Sequence, residues 1–224
     1  MIDTLVHLDE ELLLFLNSLN SPFFDHFFYI ITHLVTWLPL AAVLLFICYR
    51  RMGKASLWYF LFLAMVIVLA DQFASGIIKP LVARPRPTHT PGLETMVHVV
   101  NNYRGGAFGF VSSHAANGFA VATFLALTTR KPLLSTTAFL WALLSSYSRI
   151  YLAVHFPADI LCGALSGALI AWGTYATIAK VQPQLCRISR QVERTDEHIF
   201  TITFLITLLV AALFHNTFYN LIVG

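Results

Sequence analysis

Apolar residues along the 224-residue chain gather into runs separated by short polar stretches. A membrane-spanning helix needs about 20 predominantly apolar residues. Six runs reach that length, at about residues 27–48, 56–77, 109–128, 133–153, 158–179 and 199–222. Upstream of them, residues 5–19 read LVHLDEELLLFLNSL and place Leu5, Leu8, Leu12, Phe15 and Leu19 on one helical face. That stripe fits a short N-terminal interfacial helix lying on the membrane, or equally an extension of the bundle. The pattern predicts an all-α fold: a polytopic membrane helix bundle with about six transmembrane helices. No internal repeat or low-complexity tract is visible, and the polar 180–198 stretch is too short for a domain, so residues 1–224 read as one domain.

Composition supports the membrane class. Hydrophobic residues make up 58% of the chain and charged residues 11%, whereas soluble domains carry about 25% charged residues. The net charge is only +3 and the basic residues are dispersed, which excludes a nucleic-acid footprint. Cys48, Cys162 and Cys186 have neither metal-type spacing nor the even count of a disulfide framework. The opening MIDTLVHLDEE is acidic, whereas a cleaved signal peptide begins basic, so the N-terminus is expected to be retained.

Lysine and arginine bias sets the orientation. Arg50, Arg51, Lys54, Arg130, Lys131, Lys180, Arg187, Arg190 and Arg194 fall on one side of the predicted spans. Lys79, Arg84, Arg86, Arg104 and Arg149 fall on the other. The larger set is expected in the cytoplasm and both termini outside. The five outer cations run against the topological preference and need another reason to be there.

Three segments gather on that outer face. The first is KPLVARPRPTH, Lys79 to His89. Proline pushes the preceding residue out of the helical region, so the second span should end near Lys79. The prolines stiffen an extended loop and hold Arg84 and Arg86 at set positions. A guanidinium grips phosphate oxygens in a fork, although a basic loop touching lipid head groups explains this segment equally well.

The second is GFVSSHAANGF, Gly109 to Phe119. Serines before an apolar helical run are an N-cap signature. A helix beginning at Ser112 or Ser113 aims free N–H groups at the outer face, where anions bind. His114 sits in its first turn, where a water-capped interfacial histidine is the plainer reading of that residue alone. The third is SRIYLAVHFPAD, Ser148 to Asp159. Pro157 suits the first turn of a helix, which puts His155 just before it and Asp159 inside it. Asp159 can hydrogen-bond one ring nitrogen of His155 and leave the other free to attack, the logic of an activated nucleophile. An ion pair between Arg149 and Asp159 is the competing expectation.

Ionisable groups at membrane depth cost about 2.5–3.5 kcal/mol each on insertion scales. A cluster of two histidines, a carboxylate, several cations and a helix N-terminus is therefore expected to be functional. The cations suit a substrate of high negative charge and the apolar surroundings suit a lipid tail. One histidine can attack while the other protonates a leaving oxygen.

These residues resemble the type 2 phosphatidic acid phosphatase family, membrane relatives of vanadium haloperoxidases and bacterial acid phosphatases. The family pattern Lys-x6-Arg-Pro is matched by Lys79 and Arg86–Pro87, and Ser-Arg-x5-His-x3-Asp by Ser148–Arg149, His155 and Asp159. The Pro-Ser-Gly-His motif stands here as Val111-Ser112-Ser113-His114. The resemblance covers a core of about residues 71–180, with 199–222 as an additional C-terminal span. It implies a metal-independent lipid phosphatase without a cofactor. His155 would form a phosphohistidine, Asp159 would orient it, and His114 would protonate the leaving oxygen. Lys79, Arg86, Arg149, Ser112 and Ser113 would bind phosphate, with Arg84 and Ser148 as accessory candidates. Asp71, two helical turns before Lys79, is an accessory candidate from its position alone and fits equally well as a cap on a neighbouring helix.

The expected substrate is a lipid phosphate at the outer face of a plasma membrane, expected to be a bacterial inner membrane. Undecaprenyl diphosphate, phosphatidic acid, phosphatidylglycerophosphate and a lipid A phosphate all fit, with a lean toward undecaprenyl diphosphate. A lipid phosphotransferase would use the same histidine, and an inactive lipid-phosphate binding protein is a further alternative. A transport protein would spread charge through the depth of its spans and show inverted repeats. The remaining partners are membrane lipids. His33, His89, His98, His198 and His215 lack partners in sequence and read as interface or loop residues. Gly163 and Gly167 read as a close-packing pair.

Overall fold

The computed structural model describes residues 2–223. Helices α1 (Ile2–Ser18) and α2 (Pro22–Ile31) precede a 3₁₀ turn, Leu34–Trp37, which runs into α3 (Leu38–Met52). Helix α4 (Ala55–Asp71) continues through a π-helical stretch, Gln72–Ile78, into α5 (Lys79–Val82). A loop over 83–112 leads to α6 (Ser113–Thr129), α7 (Pro132–Tyr151) and α8 (Pro157–Val181). Then come α9 (Pro183–Ser189), α10 (Arg194–Leu213) and α11 (His215–Val223). The fold is all-α, as the hydrophobic pattern predicts. Among the described residues extended pairing is confined to one bridge, Pro85 with Phe108.

Helix α6 is the axis of the bundle and packs on α4, α7 and α8. Its buried residues include Ala115, Ala116, Gly118, Ala120 and Ala122. Small side chains let helix backbones approach closely, which is how helices associate where apolar burial gives no advantage over lipid. Helix α8 shows the complementary outer surface: Leu161, Leu165, Leu169 and Trp172 are exposed, while Gly163, Gly167 and Ala171 face inward.

Four segments are long and apolar enough to cross a membrane: Leu34–Met52, Ala55–Val82, Pro157–Val181 and Arg194–Leu213. The other two expected spans correspond to α6 and α7, which fall outside that set. Helix α6 is only 17 residues long and is enclosed by other helices, whereas α7 has 20 residues and carries serines, threonines and an arginine while still turning Leu140 and Leu143 outward.

Three expected boundaries differ. The 27–48 run is broken at Thr32–His33, where Trp37 Nε1 and Thr36 Oγ1 donate to the carbonyls of Ile31 and Ile30 at 2.8 and 2.7 Å and so end α2. The second span does not stop at Lys79 but continues to Val82, and Ala83 at φ 48° ends it. Within the π-helical stretch the Lys79 N–H reaches back five residues to Ala74 O. That wider turn leaves room for the Pro80 ring. The 199–222 run is split at Phe214, after which α11 packs on α2.

Helix α1 exposes Leu5, Leu8, Leu12 and Phe15, with Leu19 exposed just past its end, and buries Leu13, Asp9 and Asn17. Asn17 fastens it to the end of the bundle where α7 stops: its amide donates to Tyr151 O at 2.7 Å, and its Oδ1 accepts the His98 N–H at 2.7 Å. At the opposite end of the bundle, Arg50 and Arg51 both hold Asp196, and Arg51 also pairs with Glu193 at 2.5 Å.

Candidate active site

Helix α7 ends at Tyr151, and a tight turn delivers His155 to the start of α8. Phe156 is the N-cap and Pro157 occupies the first turn. Asp159 accepts the Phe156 N–H at 3.0 Å with the same oxygen that lies 3.2 Å from His155 Nδ1. Both side chains are buried, His155 at 1% exposure and Asp159 at 0%. On the other side of the ring, Arg86 Nη1 donates toward His155 Nε2 at 3.2 Å. A guanidinium can only donate, so Nε2 carries a lone pair and Nδ1 carries the proton shared with Asp159. Burial, then the charges of Arg86, Arg149 and Lys79, holds the His155 imidazole well below its ordinary value.

Arg86 is positioned by two arms of the 83–112 loop. Its N–H donates to Ala107 O at 3.2 Å, and the Gly109 N–H donates to Arg84 O at 2.9 Å. Pro85 and Pro87 have no N–H to offer, so Arg86 alone supplies that donor. Its side chain is nearly buried and also donates to Phe108 O and Val154 O. Two glycines make room: a Cβ on Gly105 would sit 2.9 Å from Arg86 Nη1, and one on Gly109 would sit 2.8 Å from Asp159 Oδ2.

The N-terminus of α6 faces the same place. Ser112 is the N-cap, and its Oγ accepts the Ala115 N–H. Its own N–H donates to Asp159 O at 3.0 Å, joining α6 to α8. The first-turn N–H groups of Ser113 and His114 have no intrahelical acceptor. Lys79 Nζ donates to Ser113 Oγ at 3.3 Å. His114 is exposed and lies within the field of Arg149, His155, Lys79 and Arg86. Asp71 accepts from Asn117 on α6 at 3.4 Å, which ties the end of α4 to the helix that carries His114.

Arg149 is buried, and its two terminal nitrogens donate to Thr32 Oγ1 at 2.5 Å and Tyr103 Oη at 2.9 Å. Its Nε has no partner. Ser148 does not join the cluster, because its hydroxyl is engaged by Ser145 O and Thr32 Oγ1. The competing expectation of an Arg149–Asp159 ion pair is corrected. The cation on Asp159 is Arg84, at 3.1 Å, and Arg84 also holds Asp9 of α1 at 2.8 Å. Arg84 is thereby turned toward carboxylates, while Arg86 stands against His155.

The structure thus gathers His155, Asp159, His114, Lys79, Arg86, Arg149, Ser112 and Ser113 at one end of the bundle. Sequence reading missed Asp9, Thr32, Tyr103, Asn117, Gly105 and Gly109. Gly109 and Asn117 stand inside the Gly109–Phe119 segment but carry no chemistry of their own there, the other four lie outside all three segments, and each is recruited by folding. It also left His98 and His215 without partners. His98 Nε2 meets Asp25 at 2.8 Å, and His215 Nδ1 meets His26 Nδ1 at 3.1 Å.

The family model of the PAP2 superfamily matches residues 55–183, which contain all three motifs. The chain belongs to that superfamily. It is 40% identical over 187 residues to a lipid A 4'-phosphatase of Bacteroides thetaiotaomicron, covering 83% of each protein. It is 33% identical over 175 residues to a lipid A 4'-phosphatase of Porphyromonas gingivalis, covering 78% of this chain and 74% of that protein. Among solved structures, Aquifex aeolicus LpxE superposes with a TM-score of 0.53 at 27% identity, over 74% of this chain and 93% of its own. The transmembrane phosphatidylglycerolphosphate phosphatase of Bacillus subtilis shares the fold, with a TM-score of 0.60 at 24% identity over 80% of this chain and 88% of its own. The protein is an integral membrane lipid phosphatase.

Proposed function

We propose that the chain hydrolyses a phosphate monoester of a lipid A-type glycolipid at the extracytoplasmic face, through a phosphohistidine on His155 and without a metal ion. The observation that carries the mechanism is the His155 geometry: Nδ1 on Asp159, and Nε2 directed at Arg86 among the cations. Nε2 attacks phosphorus and the bond from phosphorus to the lipid oxygen breaks. His114 gives a proton to that oxygen. Asp159 stabilises the positive charge that develops on the ring. Lys79, Arg86, Arg149, Ser112, Ser113 and the first-turn N–H groups of α6 hold the phosphoryl oxygens, where charge spreads in the transition state. Water then attacks phosphorus, the bond from phosphorus to Nε2 breaks and returns its electron pair to the ring, His114 takes the water's proton, and phosphate leaves.

The substrate reading is supported by the two lipid A 4'-phosphatase relatives. It moves the lean away from undecaprenyl diphosphate, which rested on site orientation and chain size alone. The test is phosphate release by detergent-purified protein from lipid A, undecaprenyl diphosphate, phosphatidic acid and phosphatidylglycerophosphate, with a chelator present and His155→Ala in parallel. Fastest release from lipid A that survives the chelator and vanishes in the variant is expected. Faster turnover of another lipid overturns the substrate, and equal release by His155→Ala overturns the mechanism. A phosphorylated acceptor in place of free phosphate would make the chain a phosphotransferase.

A further inference from the structure

Arg84 sits one turn of loop from the arginine beside His155, yet it faces away from the anion site. Its Nη1 donates to Asp159 Oδ1 at 3.1 Å and its Nη2 to Asp9 Oδ2 at 2.8 Å. Its guanidinium lies over the Phe156 ring, 3.8 Å from the centroid. The other Asp9 oxygen accepts the Ala158 N–H at 2.8 Å. Asp9 therefore holds the first turn of α8 twice, once through the backbone beside Asp159 and once through the cation on Asp159. The side chains are shielded: Arg84 is 22% exposed, Asp9 9% and Asp159 0%. A mostly apolar cleft of about 380 Å³, lined by Leu5, Val6, Val82 and Phe110, opens beside the pair. Charges in such surroundings interact more strongly than in water.

Asp159 has two oxygens, and they are divided. Oδ2 serves His155 and the Phe156 N–H, while Oδ1 serves Arg84. The carboxylate plane, and with it the direction of the His155 ring, is fixed by what holds Oδ1. Asp9 lies on α1, outside the residues that match the superfamily model. Helix α1 is also the element whose exposed stripe faces outward.

We infer that Asp9 and Arg84 are positioning residues: α1, through Asp9 and then Arg84, fixes the Asp159 carboxylate that orients the nucleophile. The inference rests on the reading of His155 as nucleophile and Asp159 as its orienting group. Neither Asp9 nor Arg84 touches the phosphate. Their loss lowers turnover and leaves binding of the lipid phosphate nearly unchanged, since misplacement by about 1 Å costs up to about 100-fold in rate. Lysine cannot replace Arg84, because an ammonium lacks the fork that reaches two carboxylates at once.

The experiment is steady-state kinetics on lipid A with wild type, Asp9→Asn, Asp9→Glu, Arg84→Gln, Arg84→Lys, the Asp9→Asn/Arg84→Gln double variant and His155→Ala, each also melted in detergent. Expected are kcat losses of about 10- to 100-fold in Asp9→Asn and Arg84→Gln with KM within about threefold. Partial rescue in Asp9→Glu is expected, little in Arg84→Lys, and a double variant no slower than the worse single. A raised KM with unchanged kcat in Arg84→Gln would assign Arg84 to the phosphate and overturn the inference. Unchanged kcat in Asp9→Asn with only a lowered melting temperature would leave Asp9 a purely structural pin and overturn it too. Activity in His155→Ala would instead overturn the reading beneath it, which the same series distinguishes.

Discussion

Gly163 on α8 lies directly against the Ser112 carbonyl: a Cβ there would sit 2.5 Å from that oxygen. One turn on, a Cβ on Gly167 would sit 2.0 Å from Ala116 O. Both distances are impossible for real atoms, so the two helices meet backbone to backbone at the point where α6 begins. The Asp159 carbonyl accepts the Ser112 N–H across the same junction. Helix packing and the first turn of α6, proposed to hold phosphate, are therefore one feature.

Replacing either glycine by alanine must push α6 and α8 apart. Overpacking of this kind costs about 1–3 kcal/mol or more. Gly167→Ala is expected to lower the melting temperature in detergent, and Gly163→Ala to lower activity as well, by moving the Ser112 turn. Gly173 on the same helix has nothing within 4 Å of its missing Cβ. Gly173→Ala should gain up to about 1 kcal/mol from helix propensity. Equal behaviour of all three in thermal unfolding would remove the close-packing argument.

The acid side of the pH profile should follow His155, which lies in the turn between α7 and α8. Burial, then Arg86, Arg149 and Lys79, keeps its imidazole well below 6.5. The ring, the nucleophile proposed above, therefore stays neutral as pH falls past 6.5, and its acid limb in kcat/KM is expected well beneath that value. Arg86→Gln removes the largest of the charges, so the limb of the residual activity should move up in pH. The stability sign agrees: with the folded value below the unfolded one, the unfolded chain binds the proton first. His155's contribution is whole above 6.5 and is lost as pH falls from there toward the folded value. Coincident acid limbs in the two profiles would assign the limb to another group.

Sequence reading reached the helical class and the cluster of ionisable groups because both depend on local spacing. Lys79, Arg86, Arg149, His155 and Asp159 stand in short motifs whose residue types already state a chemistry. Sequence could not show that Arg84 turns to Asp9 or that Tyr103 meets Arg149, because those partners lie 75 and 46 positions away. The break at Thr32–His33 escaped for a related reason. It depends on Trp37 and Thr36 reaching back to the last carbonyls of α2, and hydropathy does not record side-chain hydrogen bonds. Helix α6 also shows that an apolar run need not face lipid when other helices surround it.

Ser113 stands where the family motif has glycine, and Lys79 Nζ donates to its hydroxyl at 3.3 Å. The serine thus steadies the ammonium that is proposed to grip phosphate. Removing one such hydrogen bond costs about 1 kcal/mol net. Ser113→Gly is expected to raise KM for the lipid phosphate about fivefold and to leave kcat within about twofold, a loss of uniform binding. A fall in KM would mean instead that Ser113 crowds the phosphate.

Charge bias points to the side of the membrane proposed for the site, and labelling tests it. Arg50, Arg51, Lys54, Arg130, Lys131, Arg187 and Arg190 gather at the end of the bundle where α9 packs on α3, α4 and α6. Lys79, Arg84, Arg86 and Arg149 gather at the other end with His155. An excess of basic residues marks the cytoplasmic side, and the site cations are held by carboxylates, hydroxyls and the phosphate role proposed for them. His89 and Arg190 are both exposed and lie at opposite ends. Of the native cysteines, Cys48 and Cys186 are buried and Cys162 is half-buried, so background labelling should be low. In intact cells His89→Cys should react with a membrane-impermeant thiol reagent, while Arg190→Cys should react only after permeabilisation. The reverse pattern would put His155 at the cytoplasmic face, and the substrate would then have to be a lipid phosphate presented from inside the cell.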